Sequence, residues 1–148
     1  MLQHILKRKP HIELPRVVRP NEIINILLEN HPALTRKKED IIQEEVNRAI
    51  IIATAAHQGV LRKSGEPYIT HPYSVSYILA RMGMDSECVI AGLLHDTVED
   101  TTTTVDEIEE HFGTRVAKLV DGVTKLTNIK LGKQEKQAHA FQKLITFA

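Results

Sequence analysis

Residues 91–104 read AGLLHDTVEDTTTT and place ionisable side chains at the end of an apolar run. Residues four apart share a helix face, so a helix here would set His95 beside Glu99 and Asp96 beside Asp100. Three carboxylates then crowd one helix end, where they repel one another and oppose the helix dipole. A bound metal ion would compensate this charge, so the spacing indicates a metal centre.

His71 is a further candidate ligand because it precedes Pro72. A residue before proline is biased towards extended backbone, so the imidazole can project from a helix N-terminus. With His95 and Asp96 it forms a mixed nitrogen and oxygen set, which suits Mn, Fe, Zn or Co better than Ca or Mg. His57 stays open, and the remaining histidines are interpreted as surface or satisfied core residues: His4, His11, His31, His111 and His139.

The elements that position these residues are predicted to be helices, because apolar residues recur at spacings of three and four. The predicted fold class is all-α, a helical bundle. One helix is expected to begin near Pro20, a second to end near Gly59, and a third to run from Pro72 to Gly83. The buried stripes of the second and third helices are predicted at Ile41, Ile42, Val46, Ala49, Ile50, Ala53, Val75, Ile78, Leu79 and Met82.

The helix that carries the His-Asp pair is predicted to be the buried core helix. Its centre is apolar nearly all round, and Asp85 is a good N-cap. Cys88 is interpreted as a small core residue rather than a reactive thiol. Thr104 and Glu107 form a capping-box pattern that starts the next helix.

Two parts of the chain are predicted: residues 1–40, an N-terminal arm with a short helix, and residues 41–148, the main domain. A last amphipathic helix follows Gly132 and is still periodic at the final residue. We therefore expect the chain to belong to a longer protein, with self-association through an apolar surface formed by Leu144, Ile145 and Phe147.

The composition favours a globular protein: of 148 residues, 42% are hydrophobic and 26% charged. No apolar run approaches a membrane span or a secretory signal, which predicts a cytoplasmic protein without a membrane partner. The formal net charge is zero, with acids concentrated in residues 85–110 and bases after residue 113. This balance argues against nucleic-acid binding and suits a metal together with an anionic phosphate substrate.

Three ordered blocks carry a family resemblance: HQGVLRKSGEPYITHP, AGLLHDTVEDT and FGTRVAKLVDGVTKL. Together they resemble the hydrolase domain of the RelA/SpoT family of alarmone enzymes, a branch of the HD phosphohydrolase superfamily. The resemblance covers about residues 45–148. It implies an all-helical HD domain that removes pyrophosphate from the ribose 3′ position of (p)ppGpp in the stringent response, usually with Mn2+.

The resemblance also implies roles for individual residues. The metal ligands would be His71, His95 and Asp96, and the water-activating acids would be Glu99 and Asp100. The guanosine pocket would include Arg62, Lys63 and Ser64. Asp121 and Thr124 in the DGVTK stretch are expected to do structural work or to hydrogen-bond a ligand.

The family pattern breaks off at the end of the chain, before the Asp that is its fourth metal ligand and an Asn of its nucleotide pocket. We therefore expect weak metal affinity, and the activity of this chain alone stays open. Two alternatives also stay open: an HD phosphohydrolase for another nucleotide, and a non-catalytic module that binds a nucleotide or a partner. The RKSGEPY loop argues against the first alternative, and the intact acidic cluster favours an active hydrolase over the second.

Overall fold

The computed structural model describes residues 18–61, 65 and 67–127. Within them the chain forms helices joined by short connections, and the described residues contain no strand beyond an isolated bridge between Leu61 and Pro67. This architecture confirms the predicted all-α fold. The helices are α1 (Pro20–Glu29), α2 (Arg36–Ala56), α3 (Thr70–Arg81), α4 (Ser86–Asp100), α5 (Val105–Phe112) and α6 (Thr114–Thr127).

Helix α4 is the centre of the bundle, as its sequence predicted. Every residue from Cys88 to Thr97 is buried, and α4 packs against α2, α3 and α6. The Asp85 side chain accepts a hydrogen bond of 3.0 Å from the Cys88 backbone N–H, which confirms the predicted N-cap. Burial and the nearby Asp85 raise the pKa of the Cys88 thiol to about 12, so this cysteine is an inert core residue.

The ends of the other helices follow the predicted signals. Gly59 and Gly83 adopt φ values of +79° and +81° after α2 and α3, a conformation that favours glycine. The capping box of Thr104 and Glu107 forms as predicted, and α5 ends at Phe112.

Two local predictions were wrong. Ile41 was predicted in the buried stripe of α2, but it is 47% exposed because the buried face of α2 begins only at Val46. Pro72 was predicted at the first helical position, yet α3 begins two residues earlier, at Thr70. The first four N–H groups of a helix have no intrahelical partner, so a proline is also tolerated at the third position.

The rest of the predicted stripes is buried or half-buried. Val46, Ala49, Ile50, Ala53 and Leu79 are buried in the core. The half-buried positions are Ile42, Val75, Ile78 and Met82.

Helices α3 and α4 approach each other closely at Gly92. A Cβ atom at this position would lie 2.7 Å from Leu79 Cδ1 and 3.1 Å from Ser76 Oγ, so a side chain would fit only if these neighbours shifted. The Ser76 hydroxyl donates to the Val89 carbonyl at 3.1 Å and ties the two helices together. This contact lies one turn before His95.

The division into residues 1–40 and 41–148 stays a prediction. Helix α2 runs across residue 40, and Ile23, Ile24 and Leu27 of α1 share the hydrophobic core with α4. The predicted helix after Gly132, with its apolar residues Leu144, Ile145 and Phe147, lies outside the described residues.

Candidate metal and hydrolytic site

Three predicted ligands meet where the start of α3 faces the last third of α4. One potential ligand atom from each of His71, His95 and Asp96 lies within 4.8 Å of the others. The Asp96 carboxylate bridges the two rings: Oδ1 is 3.2 Å from His95 Nε2, and Oδ2 is 3.5 Å from His71 Nε2. All three side chains are largely buried: His71 is 11% exposed, His95 is 5% exposed and Asp96 is 11% exposed.

The orientation of His95 is fixed by its own helix. Its Nδ1 donates to the Gly92 carbonyl at 2.7 Å, and because a carbonyl only accepts, Nδ1 carries the proton. In the neutral ring, the Nε2 lone pair then faces Asp96. A ring nitrogen held by a hydrogen bond from the opposite nitrogen is the usual arrangement of a metal-binding histidine.

These observations show that the site suits a divalent cation. Potential ligand atoms of two imidazoles and a carboxylate converge in a buried place, where a cation would offset the charge of the carboxylate. Because the donors are nitrogen and oxygen atoms, the set is typical of transition-metal sites.

Tyr68 supports the same carboxylate. Its hydroxyl donates to Asp96 Oδ2 at 3.0 Å, and its ring meets His71 edge-on at 6.1 Å between centroids. Burial and the charge of Asp96 raise the pKa of Tyr68 well above its usual value, so the phenol stays protonated and keeps donating.

The acidic residues Glu99 and Asp100 occupy the last turn of α4 and are exposed. The pKa of Asp100 is raised, first by burial of its carboxyl group and then by the negative charge of Asp96. Hydrogen bonding to Tyr68 and the proximity of His57 act in the opposite direction. The predicted crowding of carboxylates at this helix end is therefore present.

His57, which the sequence left open, belongs to this cluster. It caps the C-terminus of α2, is 3% exposed, and stacks on Tyr68 with ring centroids 4.9 Å apart. Its Nε2 lies 3.7 Å from Asp100 Oδ2. Tyr68 was not predicted as a site residue. The signal was its position three residues before His71, in the turn that leads into α3.

The predicted substrate residues Arg62, Lys63 and Ser64 lie outside the described residues, as does the side chain of Thr124. On either side of these three residues, Leu61 and Pro67 form the isolated bridge. Both bridge residues line a cavity of about 700 Å³. Its walls also include Ile51, Thr54, His57, Ile69 and Tyr73.

Two other histidines agree with their predicted structural or surface roles. His31 Nε2 donates to the Met84 carbonyl at 3.2 Å, and His111 is exposed on α5. His4, His11 and His139 lie outside the described residues. Asp121 is half-buried on α6.

Comparison with known proteins agrees with this geometry. The HD domain profile matches residues 49–148. The chain therefore belongs to the HD domain family, and within it to the HD domains of the RelA/SpoT proteins.

Three relatives illustrate the likeness. A guanosine-3′,5′-bis(diphosphate) 3′-pyrophosphohydrolase of Aquifex aeolicus is 55% identical over 102 residues, which are 69% of this chain and 14% of that protein. The bifunctional (p)ppGpp synthase/hydrolase SpoT of Escherichia coli is 49% identical over 108 residues, 72% of this chain and 15% of that protein. A GTP pyrophosphokinase of Myxococcus xanthus is 44% identical over 122 residues, 79% of this chain and 16% of that protein.

The chain thus spans about one seventh of the length of these curated relatives. No helix among the described residues is both long and apolar enough to cross a membrane.

Proposed function

We propose that this chain is a metal-dependent (p)ppGpp 3′-pyrophosphohydrolase domain, which releases pyrophosphate and leaves GDP or GTP. The observation that carries the proposal is the convergence of His71, His95 and Asp96 within 4.8 Å, in a chain similar to proteins named for this hydrolysis. Those three residues would hold the ion, for which we propose Mn2+. When bound, the ion would offset negative charge on the phosphate and acidify a water molecule.

The residues of α4 that follow the proposed ligands would activate and orient the attacking water molecule. Glu99 would accept a proton from the attacking water, while Asp100 would orient it. The water oxygen would bond to the phosphorus next to the ribose 3′ oxygen, and the bond between that phosphorus and the 3′ oxygen would break. The 3′ oxygen would take up a proton and become a hydroxyl group, which balances the proton lost by the attacking water.

The nucleotide would lie towards the loop of Arg62, Lys63 and Ser64. A guanidinium can stack on a purine and donate in a fork, whereas an ammonium is a mobile point charge suited to phosphate. The cavity of about 700 Å³ bordered by Leu61 and Pro67 supports this placement, since pockets of about 300 to 1,000 Å³ accommodate molecules of this size.

The broader biological assignment is part of the same proposal. A (p)ppGpp hydrolase would act in the stringent response and in the cytoplasm. We also propose self-association through the segment of Leu144, Ile145 and Phe147, which light scattering over a concentration series would test.

A second candidate is a non-catalytic HD module that binds a nucleotide or a partner. It is favoured by the likeness to a protein named GTP pyrophosphokinase, because that name refers to synthesis rather than hydrolysis.

The deciding experiment incubates the chain with ppGpp and Mn2+ and measures released pyrophosphate. We expect release that is lost in His95→Ala and in Glu99→Ala and retained in His111→Ala, the matched variant of an exposed histidine on α5. A folded chain that binds Mn2+ and ppGpp without releasing pyrophosphate would overturn the hydrolase and favour the binding module. Release that persists in His95→Ala would refute the proposed metal site.

A further inference from the structure

His57 has one ring nitrogen committed to its own helix. Nδ1 lies 3.0 Å from the Ala53 carbonyl oxygen, and since a carbonyl only accepts, Nδ1 is the donor. The ring is also fixed from the side by its stacking on Tyr68, at 24° between the ring planes. The imidazole is therefore held in one orientation by two independent contacts.

The other ring nitrogen is buried without a hydrogen-bond partner among the described residues. The His57 side chain is 1% exposed, and Nε2 faces Asp100 Oδ2 at 3.7 Å, beyond hydrogen-bond range. A buried polar atom left unsatisfied is costly, and native structures rarely keep one without a reason. The Asp100 side chain is 42% exposed, so it is less enclosed by its surroundings than the His57 ring.

We propose that His57 is a positioning residue for Asp100: its Nε2 forms a hydrogen bond with the Asp100 carboxyl group and fixes that group beside the metal ligands. The proposal rests on the proposed function, in which Asp100 orients the attacking water. His57 itself touches neither the substrate nor the ion and acts through Asp100.

The proposed hydrogen bond between His57 and Asp100 needs a single proton. One proton between Nε2 and Oδ2 satisfies both atoms, whether an imidazolium donates to a carboxylate or a carboxyl group donates to a neutral ring. The fixed ring supplies the direction, and a small rotation of the more exposed carboxyl group would close the gap of 3.7 Å. An acid held in this way has fewer orientations to lose when substrate binds, and such preorganisation favours catalysis.

The alternative is that His57 only caps α2 through its hydrogen bond to Ala53. Two amide substitutions separate the two roles, because the Asn amide reaches the position of Nδ1 and the Gln amide reaches that of Nε2. His57→Asn keeps a donor for the Ala53 carbonyl and loses the group that faces Asp100. His57→Gln keeps a group that faces Asp100 and loses the contact with Ala53.

The kinetic test measures kcat and KM for ppGpp with Mn2+ in both variants. We expect kcat to fall by about tenfold or more in His57→Asn with little change in KM, since supporting residues typically contribute 10- to 100-fold. His57→Gln should recover most of this loss. Equal losses in both variants, or full activity in His57→Asn, would overturn the positioning role.

A spectroscopic test is independent of hydrolysis. The ring nitrogens of His57 are observed by 15N NMR in the metal-free chain, in the wild type and in Asp100→Ala. We expect Asp100→Ala to shift Nε2 and to leave Nδ1 in place, with Asp106→Ala on α5 as the control that shifts neither nitrogen.

The two tests distinguish the failure of each proposal. An unchanged Nε2 signal in Asp100→Ala would overturn the contact, even if the wild type hydrolyses ppGpp. A shifted Nε2 in a chain that releases no pyrophosphate would keep the His57–Asp100 contact and reject the hydrolase.

Discussion

Acidic residues at the two ends of α4 have opposite effects on the stability of the helix. At the N-terminus, Asp85 caps the helix, and Arg115 of α6 bonds both Asp85 and Glu87 at 2.8 and 3.2 Å. At the C-terminus, the last turn holds Glu99 and Asp100, contains no basic residue and follows the buried Asp96. Acids favour a helix N-terminus and oppose a C-terminus, so the first end stabilises the fold while the second is arranged at a cost in stability.

The pKa shifts express the same contrast. Burial acts to raise the pKa of Asp85, but hydrogen bonds from Cys88 and the charge of Arg115 outweigh it, and the net shift is downward. At the other end, burial and Asp96 raise the pKa of Asp100. Such unfavourable ionisation is typical of functional sites, where a ligand compensates it.

The largest expected effect is on metal binding at the C-terminal end. Asp96→Ala should weaken Mn2+ affinity by at least about 100-fold, because losing a ligand should exceed the 10- to 100-fold typical of supporting residues. Titration calorimetry measures the change, with Asp106→Ala as the control. Affinity equal to that of the wild type would show that Asp96 is not a ligand.

The next effect comes from Tyr68, which donates to Asp96 Oδ2. Tyr68→Phe should weaken Mn2+ affinity by about tenfold, since it removes only a supporting hydrogen bond. Tyr73→Phe is the matched control because the Tyr73 hydroxyl instead bonds Thr54, at 2.8 Å. Equal affinities in the two variants would contradict a role of Tyr68 in the site.

At the N-terminal end, Asp85→Ala should lower the free energy of unfolding by about 1 kcal/mol, the usual effect of losing an N-cap. Because the folded-state pKa of Asp85 is lowered, its contribution is present above about pH 4 and lost as the pH falls further. Urea unfolding at several pH values measures this. Glu87→Ala, which removes a contact with Arg115 but no cap, should cost less; an equal cost would show that capping is unimportant.

Asp100→Asn should change stability in the opposite direction. In the metal-free protein we expect a gain of about 0.5 kcal/mol at neutral pH, because a charge that opposes the helix dipole is removed. The folded-state pKa of Asp100 is raised, so the gain should appear as the pH rises above about 4 and vanish below it. A loss of stability at neutral pH would mean that this end of α4 is not strained by its acids.

A further small effect is expected for Arg115→Ala. Its ion pairs are exposed, with Asp85 and Glu87 side chains 49% and 40% accessible, so the free energy of unfolding should fall by less than about 1 kcal/mol. Salt should reduce the difference from the wild type, and Lys118→Ala is the control. A larger loss that salt does not change would indicate packing rather than charge.

Much of the fold and part of the site followed from local sequence. The cap at Asp85 and the buried centre of α4 depend on helix spacing, which local patterns encode. The grouping of His71 with His95 and Asp96 joins two helices, and it was predicted from the HP and HD motifs of the family resemblance. The roles of Tyr68 and His57 were harder to predict, because they depend on how α2 ends against α4. A lone tyrosine or histidine shows no periodic pattern that would reveal such a tertiary contact.

The close contact at Gly92 has a consequence for variants of the candidate metal site. His71 belongs to α3 whereas His95 and Asp96 belong to α4, so how the three side chains meet depends on the packing of these two helices. A methyl group at residue 92 would fit only if the Leu79 and Ser76 side chains shifted. A residue with no ligand atom in its side chain thus contributes to the alignment of the three candidate ligands.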